Sequence, residues 1–79
     1  MDEEQLRALD KDIRIVDEDI RSLKKRTEEI DREIAGTSDP ERIKTLRQRL
    51  DLIDQKENML LQQKIILLQE RANLRGQGV

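Results

Sequence analysis

The chain contains no cysteine, no histidine and no aromatic residue, and each absence closes off a class of function. Without Cys or His there is no disulfide, no thiolate or imidazole metal site, and none of the commonest nucleophile and general-base arrangements, so carboxylates alone remain as metal ligands. No cofactor is expected. Without Phe, Tyr or Trp the chain cannot stack nucleic-acid bases, cage a quaternary ammonium or seat an aromatic belt at a membrane interface. The longest apolar run is Ile65 to Leu68, against the roughly twenty residues of a membrane span. Asp2, Glu3 and Glu4 open the chain with the opposite charge to a signal peptide, so the expected location is cytoplasmic or virion-internal rather than secreted.

What is present is charge and aliphatic side chains. Of 79 residues, 43% are charged and 34% apolar, and the apolar set is mostly Leu and Ile, the balance of long solvated helices. There is room for one small domain, and a chain this short often needs oligomerisation for firm stability. The apolar residues are periodic rather than scattered, which argues against intrinsic disorder.

In the first half they stand at Leu6, Leu9, Ile13, Val16, Ile20, Leu23, Thr27, Ile30 and Ile34, with spacings that alternate three and four and with Thr27 as the one polar member. A 3.5-residue repeat held this long is a coiled-coil seam and implies a left-handed supercoil. Helix 1 is expected over about 2–35, a turn over 36–39, helix 2 over about 40–74, and a frayed tail over 75–79. Gly36 can take the left-handed conformation that closes a helix. The next helix can start in two registers. Either Asp39 caps it with Pro40 at the first helical position, or Ser38 caps it and Glu41 returns the bond as a capping box. So short a connection makes the rods, each roughly 50 Å long, antiparallel neighbours. A single continuous helix would have to absorb both Gly36 and Pro40, the latter costing about 3 kcal/mol.

The second half resumes the repeat at Ile43, Leu46, Leu50 and Ile53 and then departs from it. The d-type series continues through Leu60, Leu67 and Leu74, while the a-type sites become Glu57, Lys64 and Arg71. Polar residues there can fix register, or can lay their stems along the seam while their charges reach water. Folding about Ser38 brings residues whose numbers total about seventy-six or seventy-seven to one height, so Ile13 faces the level of Lys64. Ile15, Leu52, Met59, Leu61, Ile65, Ile66 and Leu68 then fall outside the seam, several of them together on one side. A rival register would recruit Leu61, Ile65, Leu68 and Ala72 into the seam and leave part of the other series uncovered. Residues 1–35 carry twelve acids and eight bases, residues 36–79 six acids and eight bases, so an acidic arm faces a mildly basic one.

Burying four of the surplus side chains would yield on the order of 6 to 12 kcal/mol before the entropy of association. The expected architecture is therefore an all-α antiparallel coiled-coil helical hairpin that dimerises through its terminus-proximal halves into a four-helix bundle. The expected function is protein–protein assembly: a self-associating adaptor, scaffold or small regulatory subunit. A helical segment of another protein could fill the same groove.

Other chemistry finds little support. Asp10 with Asp12, Asp17 with Glu18 and Asp19, Glu28 with Glu29 and Asp31, and Asp51 with Asp54 read as solvated helix faces, so no enzyme activity and no small-molecule substrate are expected. Lys24, Lys25, Arg26, Arg32, Arg42, Lys44, Arg47 and Arg49 gather toward the turn, but interleaved acids break any positive stripe, and counterion-release binding to nucleic acid would be weak. The alternative function uses the shape. A rigid finger with Asp39 and Glu41 at its tip is similar in architecture to the coiled-coil fingers of RNA polymerase secondary-channel factors, and this likeness implies regulation of a larger enzyme. Those factors carry a second globular domain for docking, which these residues do not supply.

Overall fold

The computed structural model describes residues 2–77, with the side chains of residues 3–76. Helix α1 (Asp2–Gly36) and helix α2 (Pro40–Gln77) fold back on each other through Thr37, Ser38 and Asp39 as an antiparallel hairpin. The rod measures 60 × 14 × 12 Å. Among the described residues no helix is long and apolar enough to cross a membrane.

The seam follows the heptads. Leu9, Ile13, Val16, Ile20 and Ile30 of α1 are buried, and Leu46 of α2 is, among the described residues, the one side chain with no exposure. Leu6, Leu23, Thr27 and Ile34 of α1 and Ile43, Leu50, Ile53, Leu60, Leu67 and Leu74 of α2 are half-buried. Far from the turn the α2 seam keeps the Leu60, Leu67, Leu74 series with Glu57, Lys64 and Arg71 at the a-type sites, all half-buried; the rival register through Leu61, Ile65, Leu68 and Ala72 is not adopted. The methylene stems of these long side chains lie against the seam, in keeping with the burial of Leu9, Ile13 and Val16 opposite.

The charges of Lys64 and Arg71 do not simply reach water. Lys64 Nζ lies 2.7 Å from Asp17 Oδ1, and Arg71 Nε lies 3.1 Å from Asp10 Oδ1. The Nε–H of Arg71 is out of line with that oxygen, so this second contact is ionic without a formed hydrogen bond. Both pairs join residues that are not level: Lys64 sits about 7 Å farther from the turn than Asp17. Helical side chains lean toward their own N-terminus, which points Lys64 toward the turn and Asp17 away from it, and the two meet between.

The turn settles one register and corrects one expectation. Asp39 Oδ1 accepts a hydrogen bond from Glu41 N–H at 3.1 Å, and the Asp39 carbonyl accepts from Ile43 N–H at 3.0 Å, so Asp39 caps α2 with Pro40 as its first residue. Gly36 does not adopt the left-handed conformation; it is the last residue of α1, and no described residue has a positive φ. The reversal is spread over Thr37 to Asp39 instead. Thr37 N–H donates to the Ile34 carbonyl at 3.4 Å, and Thr37 Oγ1 accepts from Asp39 N–H at 3.3 Å, so no single residue must make the whole turn. Arg42 and Glu33 close the end with an interhelical ion pair of 2.9 Å.

At the other end α2 continues through Arg75, Gly76 and Gln77, three residues past the expected stop at about Leu74. A cationic Arg75 favours the helix C-terminus, and one glycine costs a helix only about 1 kcal/mol. Gly78 and Val79, the remainder of the expected frayed tail, lie outside the described residues.

Candidate protein interface

All seven side chains expected outside the seam are exposed: Leu68 41%, Ile15 and Leu61 46%, Ile65 54%, Ile66 55%, Leu52 65% and Met59 70%. They do not form one patch. On α2, Leu52, Met59 and Ile66 recur every seven residues and form one row, while Leu61, Ile65, Leu68 and Ala72 alternate by four and three and form another. Between the rows, on the outward surface, run Gln48, Gln55, Gln62 and Gln69, again seven apart. Several of them thus share each flank, and the seven are divided between the two.

The first row belongs to a face shared by both helices. Leu52 borders an open groove of about 460 Å³ floored by Leu23, Ile30 and Ile53, with Ser22 beside it and Arg26, Arg49 and Lys56 on the rim. An adjoining depression continues it past Asp19, Ser22, Lys56 and Leu60. Ile15 stands one heptad before Ser22 and Met59 one heptad after Leu52, so both extend this face away from the turn. Its charge is graded: cations Arg26, Arg49 and Lys56 lie toward the turn, Asp19 stands beside Lys56 midway along, and Asp12 of α1 with Glu70 of α2 occupy the same helical rows toward the chain ends. Arg26 keeps a loose 3.9 Å contact with Glu29.

The second row lies on the other flank. Leu68 and Ala72 line a shallow depression of about 380 Å³ with Arg71 and Arg75. Closer to the turn on that flank, Thr27, Leu50, Asp51, Asp54 and Glu57 line an acidic hollow of about 240 Å³.

At the tip Asp39 and Glu41 are both exposed, but the Asp39 carboxylate is occupied as the α2 cap. Among the described residues no three acidic side chains converge closely enough to hold a metal ion. Sequence reasoning missed the cationic rim and the partners of Lys64 and Arg71. The signal was available: Asp10 and Asp17 are seven apart, as are Lys64 and Arg71, with opposite sign. Comparison with protein-family models, curated proteins and solved structures finds no match for this chain.

Proposed function

We propose that this chain is a non-enzymatic assembly module: a coiled-coil hairpin that self-associates and serves as adaptor, scaffold or small regulatory subunit in a cytoplasmic or virion-internal complex. One observation carries the reading. The seam is complete without seven large aliphatic side chains, which stay in water along the rod. A second copy covers one row of them, and burying the exposed 46% to 70% of Ile15, Leu52, Met59 and Ile66 in both copies yields on the order of 7 to 14 kcal/mol. That is comparable to the cost of association, about 4 to 15 kcal/mol. Self-association is thus expected to depend on concentration rather than to be obligate.

Sedimentation or light scattering across a concentration series tests it. The mass should rise from one chain toward two, and a single-chain mass throughout overturns the reading. The second reading, a rigid finger regulating a larger enzyme such as RNA polymerase, has the slender 60 Å shape in its favour. Because Asp39 is committed to its helix, Glu41 is the acid free to act there. Under that reading Glu41→Ala abolishes regulation; under the first it leaves assembly unchanged.

A further inference from the structure

We propose that the face carrying Ile15, Leu52, Met59 and Ile66 is covered by a second copy of this chain laid antiparallel to the first, with the two-fold axis at Met59. The inference rests on the self-association reading and specifies its geometry. An isologous contact sets one surface against itself, so the surface must be complementary to its own reversed image.

The apolar row meets that condition. Leu52 and Ile66 stand seven residues either side of Met59, so reversal about Met59 lays Leu52 on Ile66 of the second copy and Met59 on its own equivalent. The same row would also match a parallel copy, and it is charge that separates the two. Arg26, Arg49 and Lys56 line the groove toward the turn, whereas Asp12 and Glu70 hold the same rows toward the chain ends, and Asp19, beside Lys56, lies near the axis itself. An antiparallel copy brings each cationic end against the acidic end of its neighbour, twice over by symmetry. A parallel copy would set the cations on one another, an arrangement that like-charge repulsion disfavours. Glu33 and Arg42, closest to the turn, already neutralise each other, and the single Glu29 beside Arg26 leaves that end of the face with a cationic excess.

The native chain has no cysteine, so single-cysteine variants report the geometry without background. Met59→Cys should link to itself under mild oxidation or with a short bis-maleimide, because bridged Cα atoms must lie within about 7 Å. Leu52→Cys alone and Ile66→Cys alone should not, since reversal separates like residues there by about 21 Å. An equal mixture of those two variants should link. Self-linking of Leu52→Cys or Ile66→Cys overturns the antiparallel order, and linking confined to Ile65→Cys or Leu68→Cys overturns the choice of face. Circular dichroism confirms that each variant remains helical. A dimeric mass with any of these contrary patterns defeats this geometry alone; a monomeric mass defeats the self-association reading itself.

Discussion

Replacing Leu46 with alanine tests where the stability of the hairpin resides, and Leu52→Ala, six residues along the same helix, is the control. Leu46 has no exposure, while Leu52 is 65% exposed. Leu→Ala removes three carbons, worth about 2.4 kcal/mol of transfer at ~0.8 kcal/mol each, and a cavity adds to that where the surroundings cannot relax. A rod only two helices thick has solvent on either side of the seam and can close in, so the expected cost is about 2 to 3 kcal/mol, toward the low end for such substitutions. A chain of this size has about 4 to 12 kcal/mol of stability in total, so Leu46→Ala removes a substantial part. The corresponding fall in Tm is on the order of 10 to 20 °C. Leu52→Ala loses under about 1 kcal/mol in the isolated hairpin, part of it offset by the better helix propensity of alanine. Thermal melts followed by circular dichroism at low and high protein concentration separate the two effects. Leu46→Ala should melt early at both, and Leu52→Ala should fall behind the native chain only at high concentration, where association adds stability. The reasoning fails if Leu46→Ala melts within a few degrees of the native chain, or if Leu52→Ala is equally damaging in dilute solution.

Three further outcomes follow from local geometry. Gly36→Ala should stabilise by about 0.4 to 1 kcal/mol, because Gly36 is helical without a positive φ and an added Cβ meets nothing within 4 Å; a lower Tm would show that the native turn needs a left-handed residue there. Asp39→Ala should cost about 0.5 to 2 kcal/mol through loss of the cap, whereas Ser38→Ala should be close to neutral, and chemical denaturation that ranks them the other way would favour the capping box. A double-mutant cycle on Asp17 and Lys64 should return a coupling of about 0 to 1 kcal/mol that shrinks as salt is added, since both side chains are about a third exposed; a coupling indifferent to salt would contradict a screened ion pair.

The hairpin was legible in the sequence because two independent signals agree. Leu6 to Ile34 keeps a 3.5-residue repeat that only a partner helix satisfies, and Asp39-Pro40 begins a second helix too soon after the first for any arrangement but antiparallel. The seven exposed aliphatics were legible for the same reason, as residues left over from a regular pattern. The role of Gly36 was not legible because a glycine near a helix end serves equally in a left-handed cap or as an ordinary last residue, and here it is the latter, with the reversal carried by Thr37 to Asp39. The end of α2 was not legible to the residue, because Gly76 resembles a stop signal, whereas the helix includes it and Gln77. The ion pairs of Lys64 and Arg71 were hidden by placing residues at equal height, which ignores the lean of side chains toward the helix N-terminus. Division of the apolar set into two rows follows from helical angle, which linear spacing does not display.

The glutamine ridge has a consequence of its own. Gln48, Gln55, Gln62 and Gln69 are uncharged and wettable, and they hold the two oily tracks of α2 apart, so that one neighbouring helix cannot straddle both. Under the proposed assembly role, a companion that seals one track would leave the other open to a different neighbour, and the hairpin would serve as a link between two contacts rather than as a terminus.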